Sequence, residues 1–95
     1  MPKKGFSYIL FNHMNGTLYV GVTSNLKERI TQHKEKSFDG FKKKYGVDKL
    51  GYFEEHTDIR HAIEREKSMK NLLRVKKIEL IQSMNPNWND LFYEL

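Results

Sequence analysis

Apolar positions cluster in two short stretches near the start of the chain. Residues 6–12 read FSYILFN and residues 17–22 read TLYVGV. Both are rich in aromatic and β-branched side chains, which suit a pleated, half-buried strand. Asn15-Gly16 lies between them. Both residues tolerate the positive φ of a two-residue type I′ turn, so a hairpin is predicted. That turn pairs Met14 with Thr17 and puts Tyr8 and Tyr19 on one face. A slip of one residue would separate them. Thr23 and Ser24 offer N-caps for a helix to about residue 36. Residues 37–49 form a basic connector with Gly40 and Gly46, and residues 50–55 read as a third strand. Thr57 or Asp58 caps a second helix running to about residue 73, and residues 75–84 form a third. Asn85-Pro86 stops it. In the tail, Trp88, Leu91, Phe92 and Tyr93 are placed to pack back on the body. The order β-β-α-β-α-α predicts a small α/β (α+β) domain with a mixed or antiparallel sheet.

The chain has 95 residues, which points to one domain over residues 1–95 with flexible ends at 1–5 and 93–95. Cysteine is absent, which excludes disulfides, cysteine zinc sites and thiol chemistry. The longest apolar run, Tyr8-Ile9-Leu10-Phe11, is far shorter than the ~18 residues of a membrane helix. No signal-peptide core follows the first residues, so a cytoplasmic location and no membrane partner are expected. Charge changes the picture more. Lys and Arg number 17 against 12 Asp and Glu, giving a net charge of +5. A compact basic domain suits a polyanionic partner. Lys42-Lys43-Lys44 form one cluster, and Lys67, Lys70, Arg74, Lys76 and Lys77 form another. Either cluster also serves as a solvated face.

The second helix carries the first sign of chemistry. At ~100° per residue, Ile59, Ala62, Ile63, Met69 and Leu73 share one face. Glu66 falls in the middle of that face, and Glu64 falls opposite. A carboxylate in an apolar stripe is costly unless it is paired or bound to metal. Glu66 is therefore either a salt-bridge partner or a metal ligand. On the first helix, Leu26 and Ile30 define the apolar side and Arg29 and His33 lie on it. Arg29 fits a phosphate contact or an ion pair with Glu66. His33 fits proton transfer or a core-edge imidazole bonded to a backbone carbonyl. An Arg, a His and an inward Glu together form the set that phosphodiester cleavage requires. No Gly-rich phosphate loop is present, so no nucleotide cofactor is expected. The histidines show no zinc spacing. Glu54-Glu55 read as a solvated acidic strand end, and Tyr45-Gly46 as a turn.

Ser7-Tyr8-Ile9 and Tyr19-Val20-Gly21 resemble the paired signatures of the GIY-YIG nuclease superfamily. The likeness extends through NGTLYVGVTSNLKERITQHK, GFKKKYGVDKLGYFEE, AIEREKSMKNL and SMNPNWNDL, from residue 6 to about residue 91. Within that superfamily the chain is similar to the bacterial stand-alone branch, related to the N-terminal nuclease domain of the excision-repair endonuclease subunit. The resemblance implies a three-stranded antiparallel sheet flanked by helices. It also implies cleavage of DNA phosphodiesters with one divalent cation, Mg²⁺ or Mn²⁺. Carried over by position, the catalytic residues are Tyr8, Tyr19, Arg29, His33 and Glu66, with Glu66 as metal ligand. Tyr19 would assist deprotonation of the attacking water, and Tyr8 and His33 would position that water or relay its proton. Gly21 closes the second signature. Asn89 matches in order a family asparagine, at longer spacing from Glu66 than in the repair branch. Gly21 and Asn89, with the basic Lys42, Lys43, Lys44 and Lys70, are the candidate nucleic-acid contacts. Ser7 replaces the first glycine. Val22 stands where the excision-repair relatives carry a lysine, which removes one positive charge near the phosphate.

The implied function is a structure-selective or weakly specific DNA endonuclease in repair or recombination. Its expected partners are DNA and a repair or recombination protein. Two alternatives stand beside it: a non-catalytic nucleic-acid-binding module, and a protein-interaction domain that takes its specificity from a partner. Metal-dependent cleavage separates the enzyme from both. Steep salt dependence of DNA binding separates the second from the third.

Overall fold

The computed structural model describes residues 3–35 and 46–95, so the Lys42-Lys43-Lys44 run lies outside the described residues. Strand β1 spans Gly5–Phe11, β2 Leu18–Thr23 and β3 Lys49–His56. Helix α1 spans Leu26–Glu35, α2 Ile59–Lys70 and α3 Arg74–Met84, and a 3-10 turn covers Leu91–Glu94. The sheet is three-stranded in the order β2-β1-β3. Both pairings are antiparallel. This is the α+β fold with the β-β-α-β-α-α order that the sequence predicts.

The hairpin differs from the expected two-residue turn. Phe11 pairs with Leu18 and Tyr8 with Gly21, so the connecting loop is longer. The cause is Asn12, whose Oδ1 accepts from the His13 amide at 2.7 Å and the Thr17 amide at 2.9 Å. Asn15 takes the left-handed conformation at φ 57°, within a turn closed by Gly16 N–H donating to His13 O at 2.8 Å. A Cβ at Gly16 would meet Asn12 Oδ1 at 2.1 Å, so glycine is required there for space. The register moves by two residues relative to the expected one. An even shift preserves side-chain parity. Tyr8 and Tyr19 therefore share a face as predicted.

Helix starts also differ in detail. Asn25, and neither Thr23 nor Ser24, caps α1. Its Oδ1 accepts from the Glu28 amide at 3.1 Å, and its Nδ2 donates to Glu28 Oε2 at 3.2 Å. This reciprocal pairing satisfies an orphan helix donor. Thr23 serves the step before, accepting from the Asn25 amide at 3.2 Å. Asp58 caps α2 through the Arg60 amide at 2.9 Å.

The sheet carries a core on each face. Tyr8, Leu10, Leu26, Ile30, Val47, Leu50 and Leu91 form the core under α1. Ile9, Phe11, Val20, Tyr52, Met69, Ile81 and Trp88 form the core under α2 and α3. Two residues expected on the apolar face of the second helix are exposed: Ile63 at 38% and Leu73 at 72%. Helix α2 seats Ala62 and Met69 against the sheet, so Ile63 turns outward by one residue's rotation. Leu73 lies past the end of α2, at the N-cap of α3.

The tail returns as expected at Trp88 and Leu91, both buried, but Tyr93 is 77% exposed. Its return path is fixed by Asn85, which donates to Asn89 O at 2.7 Å and accepts from the Asn89 amide at 2.9 Å. Asp90 then binds Lys34 at 2.5 Å and the Leu50 amide at 3.0 Å. Gly46 has φ 62°, as a turn glycine should.

Glu54 is a correction as well. It is half-buried, not a solvated strand end. Its register opposite Ser7 turns it to the face covered by α2, where Arg65 grips both oxygens at 3.0 and 3.2 Å. The Tyr52 hydroxyl also donates to it. Burial alone would raise its pKa, but the Arg65 and Tyr52 hydrogen bonds outweigh burial and hold it below the usual range. Glu55 is exposed and lies 3.8 Å from Lys4. Among the described residues, no helix is long and apolar enough to cross a membrane.

Ile30 is fully buried and Ile63 is not. Ile30→Ala is expected to lower unfolding stability by about 2–5 kcal/mol, and Ile63→Ala by no more than about 0.5 kcal/mol. Urea denaturation of both variants measures this, and equal losses would contradict the assignment of faces.

Candidate active site

Tyr8 on β1 faces Gly21 on β2 across the sheet. A Cβ at Gly21 would lie 2.5 Å from both Cζ and Oη of Tyr8. The ring therefore lies across the glycine. Gly21, predicted as a nucleic-acid contact, is placed as the bed of the phenol. Helix α1 then brings two side chains to the same hydroxyl. Arg29 hydrogen-bonds it, and His33 Nε2 lies 3.3 Å from it. An arginine only donates, so the phenol oxygen accepts from Arg29, and His33 Nε2 is its second polar partner. The His33 ring also meets both tyrosines edge-on, with centroids 6.1 Å from Tyr8 and 5.8 Å from Tyr19.

Tyr8 and His33 are buried, at 1% and 2% exposure, while Arg29 and Tyr19 are half-buried. Burial pushes the Tyr8 phenol well above its ordinary value, and the neighbouring Tyr19 and Glu66 push the same way. Arg29 opposes them without cancelling them. Tyr8 is thus a neutral, fixed phenol.

Glu66 approaches from α2 with its side chain 13% exposed, and Lys70 Nζ lies 2.9 Å from its Oε2. Glu64 is exposed, so burial agrees with the choice of Glu66 made from periodicity. The hydrogen bond to Glu66 raises the Lys70 pKa, and Tyr19 adds to the shift. Lys70, predicted as a nucleic-acid contact, is therefore placed at the site itself. The two helices and two strands bring Tyr8, Tyr19, Arg29, His33, Glu66 and Lys70 together.

Asn89 is placed elsewhere. It is exposed, and its backbone contacts are with Asn85, whose amide also reaches Gly51 O on β3. Strand β1 separates β3 from β2.

Among the described residues, no group of three or more His, Asp, Glu or Cys side chains forms a metal cage. Glu66 supplies one carboxylate. That fits Mg²⁺ or Mn²⁺, hard ions that keep several waters and bind through one or two carboxylates together with substrate phosphates.

Sequence reasoning missed a polar network under α2. Ser7 Oγ lies 3.1 Å from His56 Nε2, and Glu54 Oε1 lies 3.5 Å from the same nitrogen. Both partners meet one nitrogen and Ser7 is fully buried, so the trio braces the sheet and is no nucleophilic relay. Strand alternation held the only signal for it, once the β1–β3 register was known.

This arrangement of strands, helices and phenols defines a class. A family model described as the GIY-YIG catalytic domain matches residues 4–79, and the chain belongs to that family. Two relatives illustrate its range. The chain is 33% identical over 92 residues to UvrABC system protein C of Mycoplasma mycoides subsp. mycoides SC, covering 96% of this chain and 14% of that protein. It is 39% identical over 67 residues to a UPF0213 protein of Clostridium perfringens, covering 70% of this chain and 72% of that one. The chain thus spans a small part of the first relative and most of the second. No solved structure matches the chain.

The raised Tyr8 pKa sets a pH dependence. As pH climbs past the ordinary tyrosine value of about 10, the unfolded chain loses the Tyr8 proton first. Its contribution to stability is fully present below about pH 10 and is lost above it. Tyr52, also raised, to about 12 by burial and the bond to Glu54, adds the same trend in every variant. Urea midpoints of Tyr8→Phe are therefore expected to fall less steeply than wild type between about pH 9 and pH 11. Identical profiles would show that Tyr8 titrates as an exposed phenol.

Proposed function

We propose that this chain is a divalent-metal-dependent DNA endonuclease, structure-selective or weakly specific, acting in repair or recombination in the cytoplasm beside a repair or recombination protein. Membership of the GIY-YIG catalytic-domain family supports nuclease activity in general. The observation that carries the reading is the convergence of Tyr8, Arg29, His33 and Glu66 from β1, α1 and α2, with Tyr19 of β2 against His33.

Each residue has a role suited to its surroundings. Glu66 would hold Mg²⁺ or Mn²⁺, which when bound supplies Lewis-acid stabilisation of the phosphate charge. Arg29 carries five N–H donors in a rigid fork. One bond to Tyr8 is compatible with a second to a phosphate oxygen, where it would neutralise charge in the transition state. Tyr19 is the less buried phenol of the pair. It accepts a hydrogen bond from the attacking water and orients it; as the new P–O bond forms, the P–O bond to the leaving sugar oxygen breaks, and the water's proton passes through solvent to that oxygen. Tyr8 stays protonated and holds Arg29 and His33 in place. His33 is buried and acts through the two phenols.

The test is nicking of supercoiled plasmid and of a branched DNA with Mg²⁺ or Mn²⁺, comparing wild type with Glu66→Ala. Metal-dependent nicking by wild type is expected to disappear in the variant. Equal cutting by both proteins would contradict the assignment of Glu66. No cutting by either, with salt-sensitive DNA binding intact, would favour the non-catalytic binding module.

A further inference from the structure

We propose that Arg74, Lys77 and the β1–β2 loop form a subsite for one backbone phosphate of the DNA strand that enters the Tyr19–Glu66 site. The proposal rests on the nuclease reading above and adds a substrate contact to it. The subsite is a cavity of about 530 Å³ lined by His13, Gly16, Thr17, Leu18, Arg74 and Lys77.

Its cationic wall is fixed by the fold. Arg74 Nη2 donates to Asn15 O at 2.6 Å and to Gly16 O at 2.5 Å. Two carbonyls of the hairpin loop thus hold the guanidinium in place through one of its three nitrogens. A planar guanidinium has five N–H donors and suits phosphate oxygens. Holding it beforehand reduces the entropy lost on binding. Lys77 lies three residues further along α3, on the neighbouring part of the same face. Among the described residues, no carboxylate comes within ion-pair distance of Arg74 or Lys77. The first turn of α3 also carries no acidic residue. By contrast, the adjacent Lys76 is paired with Glu79 at 3.3 Å, and Lys70 with Glu66 at 2.9 Å. Among the four cations of residues 70–77, Arg74 and Lys77, which line the cavity, are the two without an ion pair among the described residues.

Position links the cavity to the site. Leu18 lines it, and Tyr19 follows on β2 facing the other side of the sheet; β2 is an edge strand, so a DNA strand crossing that edge meets both. From Thr17 to Tyr19 an extended chain advances about 7 Å, on the scale of a single phosphate-to-phosphate step along one DNA strand. Lys70, on Glu66, is the last residue of α2, and Arg74, four residues later, is the first of α3. A strand with its scissile phosphate at Tyr19 and Glu66 would thus present a second phosphate to the cavity. Such a contact positions the strand and reads no sequence.

The test is fluorescence anisotropy of a labelled DNA duplex across KCl concentrations, in a Glu66→Ala background so that nothing is cut. Neutralising one phosphate contributes about 0.9 to the slope of log K against log[salt]. Arg74→Gln with Lys77→Gln is expected to lower the slope by about that amount. The affinity advantage of the parent would then shrink about three- to fourfold between about 50 and 200 mM KCl. Arg74→Lys keeps the charge and is expected to keep the slope, whereas Lys77→Gln alone, which leaves the loop contacts intact, is expected to lower it. An unchanged slope with DNA binding intact would overturn the subsite and leave the nuclease reading standing. A slope lost equally in Arg74→Lys would trace the effect to loop shape and would also overturn it. Absence of DNA binding by the parent would overturn both readings.

Discussion

The ring of Tyr8 crosses β2 at Gly21, where a Cβ would come within 2.5 Å of its Cζ and Oη. Removing one methyl-sized group from β2 lets a large polar side chain lie flat in the sheet's core. Burying a phenol hydroxyl is unfavourable unless it is hydrogen-bonded. The hydroxyl therefore demands partners, and α1 supplies them in Arg29 and His33, one turn apart. Once those two are fixed, the remaining geometry is constrained. His33 packs on Tyr19 as well as on Tyr8. Arg29, half-buried, is held at the phenol rather than sweeping through solvent. The same contact that completes one core of the sheet thus arranges the charged groups of the site.

The two faces of the sheet handle polarity differently. Under α1, the polar groups converge on one neutral phenol, and the charges lie at the edge, where Glu66 meets Lys70. Under α2, Ser7, His56, Glu54, Tyr52 and Arg65 form a network closed on itself, with Arg65 gripping Glu54 at 3.0 Å. Partners that are satisfied internally stiffen a structure. Groups poised at an edge are available to a substrate. This contrast, more than net charge, separates the site from the rest of the polar interior.

Much of this was legible in the sequence, and the limits have physical causes. Strand alternation and the turn signal placed Tyr8 with Tyr19 although the predicted register was off by two residues, because parity survives an even shift. Helical periodicity separated Glu66 from Glu64 because burial on α2 follows the same period. Periodicity failed at Ile63, where the helix seats on Ala62 and Met69 and the edge of the stripe is exposed. It failed at Leu73 because α2 ends at Lys70. Side chains that bond to nearby backbone were the least legible. Asn12 inside the hairpin loop and Asn25 at the start of α1 each displaced the expected turn or cap. Glu54 looked like a solvated end because its partner, Arg65, comes from a helix 11 residues away. Asn89 followed the family order but is held on the β3 side by Asn85. The resemblance named Gly21 as the close of a signature and a nucleic-acid contact. Its reason, the ring of Tyr8 above it, needed the register.

The most direct test of this account is the plasmid-nicking rate of Gly21→Ala, measured at a temperature where circular dichroism shows both it and wild type folded. A methyl group there must displace the Tyr8 ring, and with it the bonds to Arg29 and His33. The account predicts a loss of about 10²-fold, the scale expected when positioning groups move by about 1 Å. A wild-type rate in Gly21→Ala would mean that the phenol lying on this glycine does not organise the site.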